Sequence, residues 1–270
     1  MQSSLAPHVR EAGDGPAVIC LHSNASSSAQ WRGLMERLAP DWRVLAPDSL
    51  GAGRSPAWPT DRVVTLADEV ALLEPVFAAA GESFCLVGHS YGAAVALKAA
   101  LANPVRVRAI AVYEPTLFSL LEQESPGHEA ADGIRFAAAD AAAAIEAGDP
   151  DAAARRFIDY WMGEGSWQRM PPARQAPIAQ SMANVAGWAH ALFTEPTPLQ
   201  AFAALDMPVL YMTGARSPAS ARGVARLLTG VLPDVELIDF EALGHMGPVT
   251  HADTVNEAVA GFLARCCASA

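Results

Sequence analysis

Phe84-Cys85-Leu86-Val87-Gly88-His89-Ser90-Tyr91-Gly92-Ala93-Ala94-Val95 is the stretch that decides the fold. Residues 84–87 are an unbroken apolar run, the pattern of a strand covered on both faces. Residues 91–102 (YGAAVALKAALA) are rich in alanine and leucine, and predict a helix. Between them, Gly88-His89-Ser90-Tyr91-Gly92 matches G-x-S-x-G in the context the motif requires, with a strand before and a helix after. A sharp turn from strand into helix forces strained dihedrals on the central residue, and the flanking glycines let neighbouring backbone approach closely. Ser90 is therefore the candidate nucleophile, its Oγ projecting above the sheet at a helix N-terminus whose dipole favours developing negative charge. A bare G-x-S-x-G in a loop is common, so the flanking strand and helix carry the inference.

Outward from this turn, short β-branched runs alternate with longer alanine-rich segments, the mark of an α/β fold with a mostly parallel sheet. Strands are predicted at 17–21, 43–46, 84–87, 109–113, 208–213 and 235–240. Helices are predicted at 29–38, 66–80, 91–102, 219–229 and 254–265. Leu66, Val70, Leu73 and Phe77 recur at three- and four-residue spacing, the stripe with which a helix covers a sheet. The alternation stops between 116 and 200, where helices are expected at 132–147 and from Asp149-Pro150-Asp151 (N-cap, proline, first-turn acid) to about Met162. That stretch is read as a helical lid inserted into a core formed by 1–115 and 201–270. No internal repeat is evident.

Bulk properties remove several classes of function. The 270 residues carry 18 Lys and Arg against 29 Asp and Glu, a net charge of −11, with no basic run to neutralise a phosphate backbone. Nucleic acid is not an expected partner. No apolar run approaches membrane-spanning length and the first fifteen residues lack the pattern of a secretory signal, so the expectation is no membrane partner and a cytoplasmic location. Of the four cysteines, Cys20 and Cys85 sit in strand-like runs while Cys266 and Cys267 are adjacent near the end, so buried free thiols are expected and no metal site.

With the turn at 88–92 in place, the chain resembles the α/β-hydrolase family over nearly its whole length. Leu21-His22-Ser23-Asn24 resembles the family's H-G-x oxyanion loop, and Ala46-Pro47-Asp48-Ser49-Leu50-Gly51-Ala52-Gly53-Arg54-Ser55 resembles its P-D-x-x-G-x-G-x-S segment. The resemblance implies that the backbone N–H groups of Tyr91 and Asn24 hold an oxyanion. Ser23 stands where the family usually has glycine. His22 reads as a prop for the loop rather than as a base.

Leu243-Gly244-His245-Met246-Gly247-Pro248 resembles the family's G-H loop after the last strand, making His245 the candidate general base. His8, His89, His128, His190 and His251 lie in other settings and read as surface or packing residues, with His190 able to touch substrate. The third member of the triad is where this sequence departs. Relatives carry an aspartate in a G-x-x-D turn, and here Gly214-Ala215-Arg216-Ser217-Pro218 has serine at 217, which cannot supply the charge that orients a histidine. Glu114, at the end of the strand after the nucleophile helix, is the preferred substitute, because some family members, one haloalkane dehalogenase subgroup among them, supply the acid from there. The competing reading makes Glu114 a pocket-lining or arginine-paired residue, and Glu241 is the weaker alternative acid.

The expected function is cofactor-free hydrolysis of a small, apolar carboxylic ester through an acyl-enzyme. A serine at 90 speaks against dehalogenase and epoxide hydrolase chemistry, which builds an ester on a carboxylate. Hydrolysis of a carbon–carbon bond in a diketone, or of a lactone, would use the same triad, and a non-catalytic ligand-binding relative is the alternative from another class. Trp161, Trp167, Trp188 and Phe193 suggest an apolar pocket under the lid, with Trp161 and Trp188 as the substrate-binding candidates; the competing reading is that they fasten lid helices to the core.

Overall fold

The computed structural model describes residues 6–58, 62–125 and 129–267; His128 lies outside them. Among these, seven strands form one sheet: β1 (Val9–Ala12), β2 (Ala17–Leu21), β3 (Arg43–Pro47), β4 (Phe84–His89), β5 (Val107–Tyr113), β6 (Val209–Gly214) and β7 (Val235–Phe240). The order is β1-β3-β2-β4-β5-β6-β7, with β1 antiparallel to β3 and every other pairing parallel. The α/β expectation from the alternating pattern holds. The edge strand β1 escapes the pattern because VREA is short and half polar. Both edge strands carry charged residues, Arg10 and Glu11 on β1 and Glu236 and Asp239 on β7, which discourage pairing with another chain.

The inner strands are apolar at nearly every position because helices cover both faces. One face packs on α1 (Arg32–Leu38) and, at the end of the chain, the helix Ala252–Cys267, through Leu34, Met35, Val255, Val259 and Phe262. The other packs on α2 (Leu66–Leu72), α3 (Glu74–Ala80), α4 (Tyr91–Ala102) and the helix Ala219–Val231. The single helix predicted at 66–80 is two helices, because Pro75 at the start of α3 has no N–H to continue the α2 ladder. The first turn predicted at 29–38 is a 3-10 turn, Ser28–Trp31.

Between β5 and β6 no strand occurs among the described residues, and the chain forms the helices α5 (Ser119–Glu124), α6 (Asp132–Glu146), α7 (Pro150–Met162), α8 (Ser166–Arg169), α9 (Pro172–Ser181) and α10 (Val185–Phe193). The helices after β6 are then α11 (Ala219–Val231), α12 (Gly247–Thr250) and α13 (Ala252–Cys267). Asp149 caps α7 by accepting from Ala152 N–H at 2.9 Å, with Pro150 in the first turn, as the Asp-Pro-Asp sequence predicts. The segment returns to the core at Glu195, whose buried carboxylate binds Lys98 of α4 at 2.6 Å. Parallel pairing puts the C-terminal ends of β2, β4, β5 and β6 side by side, and the chain's chemistry collects there.

Candidate active site

Ser90 joins β4 to α4 at φ 57° and ψ −117°, a conformation that costs an L-residue about 1–3 kcal/mol. The glycines show why the turn is built this way. A Cβ on Gly92 would lie 2.3 Å from the Leu21 carbonyl oxygen, and one on Gly88 would lie 2.5 Å from Ala93 Cα. Ser90 N–H donates to the Tyr113 carbonyl at 2.9 Å, tying the turn to β5.

His245 brings its imidazole to the same point from the loop after β7. Its Nε2 is 2.9 Å from Ser90 Oγ and its Nδ1 is 2.6 Å from Glu114 Oε2. The other carboxylate oxygen, Glu114 Oε1, accepts from Thr213 Oγ1 and Gly214 N–H, both at 2.8 Å. Burial alone would raise the Glu114 carboxyl, but the hydrogen bond and charge of His245, helped by Gly214 N–H, hold it below the usual carboxylate range. An ionised Glu114 only accepts, so Nδ1 of His245 carries the proton and Nε2 is left to receive the hydrogen of Ser90. Glu114 sits at φ 46°, a second strained position at the end of a strand.

Ser217 is buried in the turn after β6. Its hydroxyl helps keep Glu114 ionised, although Oγ lies outside ordinary hydrogen-bond geometry. Glu241 is exposed. His22 lies in the loop after β2, with Nδ1 2.7 Å from the Ser23 carbonyl and Nε2 accepting from Ser49 N–H at 3.0 Å, so both ring nitrogens serve loop structure. Asp48 folds the following segment by accepting from Ser28 N–H at 2.6 Å and Arg54 N–H at 2.9 Å. A Cβ on Gly53 would strike its carboxylate.

Tyr91 opens α4, where its N–H has no acceptor within the helix. Its phenol donates to Glu69 of α2 at 3.2 Å. Burial pushes the Glu69 carboxyl up to about 7. Asn24 and Ser90 share a small cavity of about 20 Å³ whose wall includes Thr116, Phe157, Trp188 and Phe193. Trp161 borders this cavity too, but its ring lies against His245, with centroids 3.8 Å apart and planes 25° apart. Trp167 is buried away from it. The rings of His8 and His251 make their hydrogen bonds elsewhere, and His190 is not on the cavity wall. What the sequence did not suggest is Gln30, which bridges the loop after β2 and His89.

A family model described as the alpha/beta hydrolase fold matches residues 16–252. Among curated proteins, the haloalkane dehalogenase of Agrobacterium fabrum is 39% identical over 111 residues, 41% of this chain and 36% of that protein. The haloalkane dehalogenase of Bradyrhizobium diazoefficiens is 28% identical over 294 residues, 97% of this chain and 91% of that one. The chain thus spans only about a third of the length of the first curated relatives it matches. Among solved structures, an alpha/beta hydrolase from Sphaerobacter thermophilus superposes with a TM-score of 0.66 at 26% identity, covering 93% of this chain and 95% of that one.

Proposed function

The chain belongs to the α/β-hydrolase family, and from that premise we propose that it is a serine hydrolase that cleaves a small carboxylic ester through an acyl-enzyme. The observation that carries this reading is the unbroken line of hydrogen bonds from Ser90 Oγ through His245 to Glu114, at 2.9 and 2.6 Å. Ser90 attacks the ester carbonyl as His245 Nε2 takes its proton, and Glu114 stabilises the imidazolium that forms. The N–H groups of Tyr91 and Asn24 hold the oxyanion. His245 then protonates the leaving alcohol and, in the second half, takes a proton from the water that attacks the acyl-enzyme. The alkyl-ester chemistry of haloalkane dehalogenases would need a carboxylate at position 90, and serine stands there.

The cavity beside Ser90 has no charged side chain on its wall. Its polar groups besides Ser90 are Asn24 and Thr116, and Phe157, Trp161 and Trp188 supply aromatic surface. A neutral substrate with an apolar acyl group fits that lining. At about 20 Å³ the cavity holds little more than one water, so residues 116–200 act as a lid over the core of 1–115 and 201–270 and move to admit substrate. No described helix is long and apolar enough to cross a membrane.

A fluorophosphonate probe tests the nucleophile, and a set of p-nitrophenyl esters of increasing acyl length, run beside lactones and diketones, tests the substrate. Labelling lost in Ser90→Ala together with a preference for esters supports the reading. An unlabelled serine, or turnover confined to diketones or lactones, refutes it.

A further inference from the structure

Ser23, Gln30, His89 and His245, none of them on the cavity wall, are joined by one line of hydrogen bonds beside the nucleophile. Gln30 Oε1 accepts from Ser23 N–H at 3.2 Å and from Ser23 Oγ at 3.0 Å. Gln30 Nε2 is 3.1 Å from His89 Nδ1, and His89 Nε2 is 2.8 Å from the carbonyl oxygen of His245. A carbonyl only accepts, so His89 carries its hydrogen on Nε2. Its Nδ1 is then an acceptor, which turns the amide NH₂ of Gln30 toward His89 and leaves the amide oxygen for Ser23. The line satisfies every one of these polar atoms with one arrangement of protons. It also accounts for serine at position 23, whose hydroxyl has its acceptor in Gln30.

We infer that Gln30 and His89 are positioning residues that lock the oxyanion loop at Ser23-Asn24 to the backbone of His245, so that oxyanion donor, nucleophile and base keep one spacing. The assignment rests on the serine-hydrolase reading for its catalytic meaning. Three separate backbone segments, following β2, β4 and β7, must agree to well under 1 Å for such chemistry, and a 1 Å misplacement costs about 100-fold in rate. The Ser90–His245 bond fixes only the base to the nucleophile. The line through Gln30 supplies the missing tie to the oxyanion side.

The arrangement works only while His89 is neutral. His89 is fully buried, and burial together with the neighbouring His245 keeps its imidazole well below the ordinary histidine range. The titratable groups around it are His245 from the loop after β7, His22 from the loop after β2 and the Tyr113 ring of β5, whose centroid is 5.7 Å away. None of them supplies a negative charge that would favour imidazolium.

Gln30→Glu is close in shape to the native residue and tests the proton order. Its carboxylate still accepts from Ser23, but one extra proton is needed between it and His89 Nδ1. We expect kcat of Gln30→Glu relative to the native protein to fall at least about tenfold from pH 6 to pH 9, with KM for a small p-nitrophenyl ester nearly unchanged. Gln30→Leu should lose kcat by a similar factor at every pH. A Gln30→Glu to native ratio that stays flat with pH, or a loss that follows only a lowered melting temperature, overturns the proposal. Nitrogen NMR of the His89 ring in the native protein separates this from failure of the ester reading, because it needs no turnover. A neutral ring protonated on Nε2 from pH 5 to 9 supports the line, and a ring that titrates in that range or carries its hydrogen on Nδ1 defeats it.

Discussion

Trp161 of α7 lies flat on the imidazole of His245, with ring centroids 3.8 Å apart. The indole belongs to the helical segment between β5 and β6 and the imidazole to the loop after β7, so the segment and His245 share one contact. Trp161 itself is held by Tyr160, edge-on at 4.8 Å, and by Phe118 at 6.3 Å.

An aromatic face beside a positive charge contributes about 0.5 to 2 kcal/mol, and in the proposed reaction His245 becomes positive only as Ser90 attacks. Trp161→Ala should therefore lower kcat by between about two- and thirty-fold, while Trp161→Phe keeps much of the rate. Steady-state kinetics on one short p-nitrophenyl ester decides it. An alanine variant with native kcat would show that the stack only packs the helix.

A second expectation concerns Ser90. Ser90→Ala should remove turnover and fluorophosphonate labelling while the fold persists, because among the described residues the hydroxyl's hydrogen bond is with His245. Ser90→Gly should be equally inactive yet more stable than Ser90→Ala, since glycine adopts φ 57° without strain. Relief of about 1 kcal/mol corresponds to roughly 2–4 °C in a domain of this size. Calorimetry showing Ser90→Gly melting below Ser90→Ala would mean that the turn carries no such strain.

These features were legible in unequal measure. The turn at Ser90 is local: strand, glycine spacing and helix all lie within nineteen residues, Phe84–Ala102, so the sequence carries its own context. The pairing of Glu114 with His245 was legible by subtraction, because a serine at 217 leaves His245 without a charge and a carboxylate stands at the end of the neighbouring strand. The roles of the tryptophans were not. Trp161, Trp167 and Trp188 all sit in helices, and only the packing between helices sends the first onto His245, the second into a buried contact and the third to the cavity wall. Gln30 is 59 residues from His89 and reads as an ordinary polar residue until the fold joins them. Strand β1 was hidden because its pairing with β3, not its own composition, makes it a strand.

Glu69 should set a pH dependence of stability. Its carboxyl is pushed by burial up to about 7 in the folded protein and ionises near 4.5 when exposed. Between those values the unfolded chain has released the proton and the folded chain still holds it. Stability therefore falls as pH rises from about 4.5 to 7 and levels off above, by ~3 kcal/mol in all from this group. Glu69→Gln, which keeps an acceptor for the Tyr91 hydroxyl or Leu50 N–H, should remove this component and melt higher than the native protein at pH 8. Denaturant titrations of both proteins across pH 5 to 9 give the test, and parallel curves would refute it.

The last prediction concerns the acid. Glu114→Gln keeps the size of the side chain and loses the charge that faces His245 Nδ1 at 2.6 Å. It also offers an amide NH₂ where a carboxylate oxygen stood, against an Nδ1–H or against Thr213 Oγ1 and Gly214 N–H, so one native hydrogen bond must fail. The loss in kcat should be on the order of 10³ to 10⁴, as for a triad whose acid is made neutral. Ser217→Ala should cost little by comparison, because Oγ there makes no ordinary hydrogen bond. Ser217 nevertheless lies close enough to act on the Glu114 carboxylate, so an aspartate introduced at 217 brings a charge to the same neighbourhood. Glu114→Gln combined with Ser217→Asp should therefore recover part of the lost rate, which a purely structural Glu114 would not explain. The single variant is the cleaner measurement. If Glu114→Gln keeps more than about a tenth of the native kcat, a barrier change under about 1.4 kcal/mol, Glu114 is not the acid, and the exposed Glu241 near the start of the histidine loop becomes the residue to replace next.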